Sequence, residues 1–196
     1  MKTNPLSSLS SRRGQSIVEA MVALSVLMVG LMGVLTLLTR SLLLERVTAD
    51  QAKATYLASE GIEVAKSLID HDVYLGVAAG SGAESSGWAG SLPGSCFTFS
   101  VGGANYYDVD FKTYGCPQPA ASTPELLYFA TDPATGAGMY YDAADRPTGA
   151  TATNFSRVVR VARVSDNEID VRSTVTWDTG VVTNQTLTLE DHFYNW

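Results

Sequence analysis

A carboxylate stands at the start of the most apolar stretch of this chain. Glu19 is followed by 20 consecutive residues, Ala20 to Thr39, that carry no formal charge. A helix of that length measures about 30 Å, which matches the hydrocarbon core of a bilayer. The stretch therefore predicts insertion into a membrane. A carboxylate at the edge of such a span must either reach the aqueous interface or be neutralised by a proton or a cation.

Two cysteines offer a second kind of chemistry. Cys96 and Cys116 are the two cysteines of the chain, and 19 residues lie between them. An exported chain with an even number of cysteines usually pairs them, and closing a loop of this size stabilises a fold by roughly 3 kcal/mol. We therefore expect a disulfide, which would place residues 41–196 outside the cytoplasm. Two unrelated buried thiols are the alternative.

Two groups of residues carry the atoms of a metal site without its usual spacing. The run Asp70–Asp72 contains a histidine, but three adjacent side chains do not easily converge on one ion, so we interpret it as a helix end with solvated charges. Asp132, Asp142 and Asp145 fall in a Gly-rich stretch that lacks the D-x-D-x-D-G pattern of a calcium loop. The sequence predicts no metal site, and a calcium loop is the weaker alternative.

No arrangement of residues in the sequence predicts catalysis. His71 and His192 have no serine and aspartate at the spacing of a catalytic triad, and there is no phosphate-binding loop or zinc motif. Residues 15–196 contain 10 basic and 20 acidic side chains, a balance that argues against nucleic acid as the main partner. We therefore predict neither an enzyme nor a cofactor nor a nucleic-acid partner.

A leader and a long helix must position the residues near the N-terminus. Residues 1–14 are basic and Ser-rich and are interpreted as the leader. Residues 15 to about 70 contain no proline and predict one helix, apolar all round to residue 39 and amphipathic beyond it. The second half has one apolar face, made up of Leu43, Val47, Ala54, Ala58, Ile62, Ala65 and Ile69. This face needs a partner, which the C-terminal region must supply.

The C-terminal region predicts an antiparallel sheet. Alternating or β-branched residues predict strands at 96–101, 106–112, 126–130, 155–164, 168–177 and 181–189. Asp166-Asn167 and the run 178–180 predict hairpin turns between the last three strands, and residues 132–154 are expected to form a long excursion. The strand at 155–164 mixes apolar and polar residues on both faces, which favours a central position. The predicted fold class is α+β, with the long helix packed against this sheet.

The residues before Glu19 resemble a known processing signal. The basic run Arg12–Gly14 is followed by the polar pair Gln15–Ser16, by Glu19 five residues after the glycine, and then by the apolar span. This order resembles the class III signal of type IV pilins and of the pseudopilins of type II secretion. The resemblance implies cleavage between Gly14 and Gln15 by a prepilin peptidase on the cytoplasmic side, followed by methylation of the new N-terminus at Gln15. It also implies a cytoplasmic leader, which the equal numbers of basic residues flanking the span do not decide.

The resemblance also assigns a role to Glu19. After cleavage Glu19 becomes the fifth residue of the mature chain, where the family implies that it pairs with the Gln15 amine of a neighbouring subunit. The implied partners are the prepilin peptidase, other pilin subunits, the inner-membrane assembly platform and, before assembly, membrane lipid. Two features depart from the family pattern. Gln15 stands where most members have Phe or Met, and Gly30 and Gly33 lie in the span where many members have a proline.

These observations predict a minor type IV pilin. It would comprise a leader at 1–14, a transmembrane and filament-core helix at 15–39 and an extracytoplasmic domain at 40–196. The run YLASEGIEVAKSLID and the later F-x-R-V-V-R-V and V-x-W patterns are similar to V-type minor pilins. We expect the chain first in the cell membrane, as a single span, and then in a cell-surface pilus. The alternatives are a minor pseudopilin of a type II secretion system and a bitopic membrane protein with an extracytoplasmic binding domain and an incidental Glu19.

Overall fold

A computed structural model describes residues 15–78, 96–97, 102–112, 116–117, 119–132, 135–180 and 183–195. These residues form one helix and six strands. The elements are α1 (Gln15–Ala78), β1 (Ala104–Tyr107), β2 (Glu125–Thr131), β3 (Gly138–Tyr141), β4 (Thr151–Ser165), β5 (Glu168–Trp177) and β6 (Gln185–Tyr194). The outer half of α1 packs against the antiparallel sheet, so the predicted α+β fold is confirmed.

The chain divides into two compact units, the first ending at Val47 and the second beginning at Thr48. In the first unit, residues 15–47 are helical throughout. The second unit, which we call the outer domain, contains the remainder of α1 and all six strands. The leader at 1–14, with Gly14, lies outside the described residues.

The sheet is built around β4. Its strands follow the order β3-β2-β4-β5-β6, and β1 also pairs with β4. Every pairing is antiparallel, and β4 has 15 residues, enough to pair with β5 along one edge and with β1 and β2 along the other. The predicted central position of this strand is confirmed. The turn at Asp166-Asn167 is confirmed as well, because β4 and β5 pair directly across it.

Two groups of buried apolar side chains join α1 to the sheet. In the first group Ala65, Leu68 and Ile69 of the helix contact strand residues that include Val159, Val161 and Val171. In the second group Ala54, Leu57 and Ala58 contact Leu127, Phe155, Val175 and Trp177. The predicted apolar face of the helix is therefore confirmed from Ala54 to Ile69. It is wrong for Leu43, which lies in the first unit and is 44% exposed.

One glycine allows α1 to approach the sheet closely. A Cβ atom added to Gly61 would lie 2.5 Å from Ser173 Oγ and 2.9 Å from Val159 Cγ2, closer than packed atoms normally come. We expect Gly61→Ala to lower the free energy of unfolding of the outer domain by about 1–3 kcal/mol, because overpacking outweighs the roughly 1 kcal/mol gained in helix propensity. The measurement is urea unfolding of the full chain in detergent, followed by tryptophan fluorescence.

The matched control for this prediction lies on the exposed side of the same helix. Ser67 is exposed, and its hydroxyl donates only to the Val64 carbonyl one turn earlier. Ser67→Ala also exchanges a weaker helix former for alanine, so we expect stability within about 0.5 kcal/mol of the unmodified protein. Equal stability of the two variants would contradict the close approach at Gly61.

Several strand predictions were wrong in their bounds. β3 lies inside the predicted excursion at 132–154, where four residues between glycine-rich turns were too few to show an alternating pattern. The last strand begins at Gln185 instead of residue 181, because the Asn184 N–H donates to the Asp178 carboxylate and Asn184 has a positive φ of 56°, which extends the turn. Cys96 and Phe97 do not belong to a strand, and residues 98–101 lie outside the described part.

Candidate functional site

Glu19 lies one turn after the start of α1. The helix begins at Gln15, so Glu19 lies four positions after the first residue of the predicted mature chain, with three residues between them. The residues around Glu19 are apolar and exposed, and Ile17, Val18 and Met21 expose more than 60% of their surface. None of the ion pairs among the described residues includes Glu19. Among the described residues of one chain, no cation therefore pairs with the Glu19 carboxylate.

The exposed apolar surface of the first unit extends along its helical segment, from Ile17 to Leu44. Its large side chains are exposed, among them Leu24, Leu27, Val29, Leu31, Met32, Leu35 and Leu37. In the described part of the chain this helix is long and apolar enough, by length and composition, to cross a membrane. Such a surface is compatible with a single-pass membrane protein, because lipid would cover what the chain itself leaves open.

The few polar side chains of this stretch satisfy themselves. Ser25 Oγ donates to the Val22 carbonyl at 2.8 Å, and Thr36 Oγ1 donates to the Met32 carbonyl at 2.8 Å. Thr39 Oγ1 donates to the carbonyl groups of residues 35 and 36 in the same manner. A hydroxyl that bonds to its own helix leaves no donor to be solvated, so these residues are tolerated in an apolar environment.

The disulfide is present and is held against the end of the helix. Cys96 and Cys116 are bonded, which confirms the predicted pair. The Asp72 carboxylate accepts hydrogen bonds from the N–H of Cys96 at 2.9 Å and from the N–H of Phe97 at 3.3 Å. These contacts tie the disulfide-bonded segment to α1 at a point 24 residues away in sequence.

The interpretation of Asp70–Asp72 as solvated charges at a helix end was wrong for Asp72. The helix continues to Ala78, and Asp72 is 2% exposed while Asp70 and His71 stay exposed. Burial raises the pKa of the Asp72 carboxyl, and the two N–H donors act in the opposite direction. The reason for the error is that helical periodicity places Asp72 on the face that meets residues 96–97, and no local pattern shows that contact.

A buried arginine that the sequence did not single out joins helix, sheet and loop. Arg157 of β4 is 3% exposed. Its guanidinium donates to the Leu57 carbonyl at 2.8 Å, pairs with the Glu60 carboxylate at 3.2 Å and donates to the Val109 carbonyl. The signal in the sequence was an arginine at a position that alternation assigns to the helix-facing side, between Phe155 and Val159.

The candidate metal residues are only partly brought together. The structure places carboxylate oxygens of Asp142 and Asp145 within 4.8 Å of each other and of Asp110, which the sequence did not group with them. Asp132 belongs elsewhere, since it accepts a hydrogen bond from Thr135 in the turn after β2. Backbone N–H groups donate to both Asp110 and Asp142, and exposed acidic groups often gather without an ion, so we assign no metal here.

A second group with suitable atoms is formed by Asp170, Glu190 and His192. Arginines already occupy this group, because Arg172 contacts both acids at 3.2 and 2.8 Å and Arg160 pairs with Asp170 at 2.8 Å. The cluster is therefore an ion-pair network across β4, β5 and β6 with its cations supplied by the chain. We assign no metal to it either.

Comparison with known proteins supplies no relative. The chain matches no protein-family model, no curated protein and no solved structure. The case for a function therefore depends on the chain's own residues and on the processing signal they resemble.

Proposed function

We propose that this chain is a minor type IV pilin, a structural subunit that is made as a membrane-inserted precursor, cut after Gly14 and assembled into a pilus. The observation that carries the proposal is the place of Glu19. It lies five residues after Gly14 and at the head of a long apolar helix whose surface is exposed. A plain membrane anchor gains nothing from a carboxylate at that position.

Cleavage supplies the charge that Glu19 lacks. Cutting between Gly14 and Gln15 creates an α-amino group, whose unperturbed pKa lies near 7.7–8.0 and which is therefore largely protonated at neutral pH. Inside a bundle of apolar helices an isolated amine or an isolated carboxylate is unfavourable, whereas a pair is tolerated. Pairing Glu19 with the Gln15 amine of a neighbouring subunit neutralises both groups and sets the axial offset between the two helices.

The apolar helix has a role both in the membrane-inserted precursor and in the assembled filament. Before assembly, lipid covers the exposed side chains of residues 17–38, and the backbone is satisfied within the helix. After assembly, the same side chains contact those of other subunits, where helix packing takes the place of lipid. The outer domain, with its disulfide, then lies outside the cytoplasm, where disulfides persist.

The proposal predicts one proteolytic event. When the full chain is co-expressed with a prepilin peptidase, we expect its intact mass to fall by the mass of residues 1–14, with a further methyl group on Gln15 where methylation follows. Without the peptidase the mass should be that of the full chain. Intact-mass spectrometry of the purified protein makes the measurement, and an unchanged mass in both cases would eliminate the proposal.

A pair of glycine variants controls this experiment. Gly14→Val places a branched side chain at the scissile bond, so this variant should stay at full length in the presence of the peptidase. Gly30→Val makes the same change in the span, where a Cβ meets nothing within 4 Å, and it should be cut like the unmodified chain. A pseudopilin would be cut in the same way, and the two are separated by whether filaments containing the chain reach the cell surface.

A further inference from the structure

Five carboxyl groups meet beside β4 in the outer domain. We call them the carboxyl cluster: Asp108, Asp110, Glu125, Asp142 and Asp145. Asp110 is 0% exposed and Asp142 is 8% exposed, whereas Glu125 and Asp145 lie at the surface. The Asp142 N–H donates to the Asp110 carboxylate at 3.4 Å. Asp108 and Asp110 flank Val109, whose carbonyl accepts a hydrogen bond from Arg157, and Glu125 lies opposite Arg157 in the β2–β4 pairing.

Few cations face the carboxyl cluster. Arg157 lies opposite Glu125 in the β2–β4 pairing, but its guanidinium is already held by Glu60 and by two carbonyl groups. Lys112 lies over the Tyr141 ring at 4.9 Å, and Arg146 lies over the Tyr128 ring at 4.4 Å. The residues after Ala78 that the structure does not describe contain no Lys, Arg or His. No further basic side chain from that part of the sequence is therefore on hand to neutralise the cluster.

The excess of negative charge changes the titration of the buried acids. Burial, followed by the charges of Glu125 and Asp142, raises the pKa of Asp108 to about 6. The pKa of Asp110 is raised as well, by burial and then by the charge of Asp142. Arg157 acts in the opposite direction on Asp108 but does not cancel these effects.

We propose that the carboxyl cluster is a pH-sensitive element that takes up protons when the outer domain folds, so that the domain is more stable at pH 5 than at pH 7.5. This inference stands on the grouping of these acids, two of them buried, beside an arginine that is already held by Glu60 and two carbonyl groups and two further cations that lie over aromatic rings. It is independent of the pilin proposal. Its consequence is an outer domain that loosens around β1–β4 as the surroundings turn from mildly acidic to neutral.

The direction follows from proton linkage. An acid whose pKa is higher in the folded state than in the unfolded state carries more protons when folded, between the two pKa values. Folding then takes up protons, and stability falls as the pH rises from about 4 through about 6. For Asp108, a shift from 3.8 to about 6 corresponds to a change of roughly 100-fold in the unfolding equilibrium constant, at tenfold per pKa unit.

Two other groups favour acid pH and must be separated from the carboxyl cluster, and the first is Asp72, whose pKa is raised by burial. The second is His192. Both ring nitrogens of His192 contact carboxylates, Glu168 at 2.8 Å and Glu190 at 3.2 Å, and these contacts raise the pKa of the imidazole. A histidine with a raised pKa stabilises the fold at low pH and loses that effect as the pH rises. The test therefore compares the pH dependence of stability in a variant of the cluster with that of the unmodified protein.

The experiment is urea unfolding of the full chain in nonionic detergent, with EDTA present, at pH 5.0 and pH 7.5, read from tryptophan fluorescence. Trp177 is 5% exposed and lies in the core of the outer domain, so it reports unfolding of that domain. We expect a higher urea midpoint at pH 5.0 for the unmodified protein. Asp108→Asn should raise the midpoint at pH 7.5 and reduce the difference between the two pH values.

Asp70→Asn is the matched control, since it removes one carboxylate from an exposed position of α1 outside the cluster. It should keep the pH difference of the unmodified protein. Glu125→Gln provides a second variant of the cluster, and it should act in the same direction as Asp108→Asn. A midpoint that rises from pH 5.0 to 7.5, an unchanged profile in Asp108→Asn, or failure of both cluster variants to fold at pH 7.5 would overturn the proposal.

Discussion

Replacing Glu19 with glutamine is expected to lower incorporation of the protein into filaments by about 100-fold or more. In the proposed filament, glutamine would keep the size of the side chain but would leave the Gln15 amine of the neighbour buried without a partner. Removing one member of a buried ion pair costs about 3–5 kcal/mol, and each 1.4 kcal/mol is a factor of ten in an equilibrium. The measurement is the ratio of this subunit in sheared filaments to the subunit left in the cells.

The control for Glu19→Gln is Glu45→Gln, the same change in the same helix. Glu45 lies beyond the apolar span and is exposed, so its loss should leave incorporation near the level of the unmodified protein. Intact mass must show that Glu19→Gln is still cut after Gly14, so that a loss of assembly is separated from a loss of processing. Incorporation of Glu19→Gln at the unmodified level, with cleavage intact, would remove the electrostatic basis of the pilin proposal.

The parts of the fold that follow from short-range patterns were predictable. The long helix was predictable because an uninterrupted apolar run and a helical repeat need no knowledge of tertiary contacts. β4 and β5 could also be predicted, since each strand is long and the turn between them is made of Asp166-Asn167. β3 was not, because four residues carry too little periodicity and its place is set by pairing with β2.

The chemistry of the outer domain depends on contacts that are distant in sequence. Arg157 and the Leu57 carbonyl are 100 residues apart, and Asp142 and Asp110 are 32 residues apart. Packing of the helix on the sheet brings the first pair together, and strand pairing brings the second pair together. Neither the packing nor the strand register can be derived from a single sequence with strands this short. Glu19 is the opposite case. The role proposed for it depends on its distance from Gly14 along the sequence, so the sequence was sufficient to propose that role.

Arg157 is where the distant contacts of the outer domain converge, and its removal should have the largest effect on stability. Arg157→Met keeps the length and packing of the side chain. It removes the hydrogen-bond donor of the Leu57 and Val109 carbonyl groups and the cation that pairs with Glu60. We expect the free energy of unfolding to fall by about 3–5 kcal/mol, because two carbonyl groups lose their buried donor and the partly exposed Glu60 carboxylate loses its cation. Urea unfolding of the full chain in detergent measures this loss.

Arg163→Ala is the matched control, because it removes another arginine of β4. Arg163 pairs with Asp166, whose side chain is 83% exposed, at 3.0 Å, and exposed pairs are worth no more than about 1 kcal/mol. Adding Glu60→Gln to Arg157→Met should recover part of the loss, since it removes the stranded charge. Arg157 also opposes the raised pKa of Asp108, so the loss in Arg157→Met should be larger at pH 7.5 than at pH 5.0. A loss equal to that of Arg163→Ala would show that Arg157 does not hold helix, sheet and loop together.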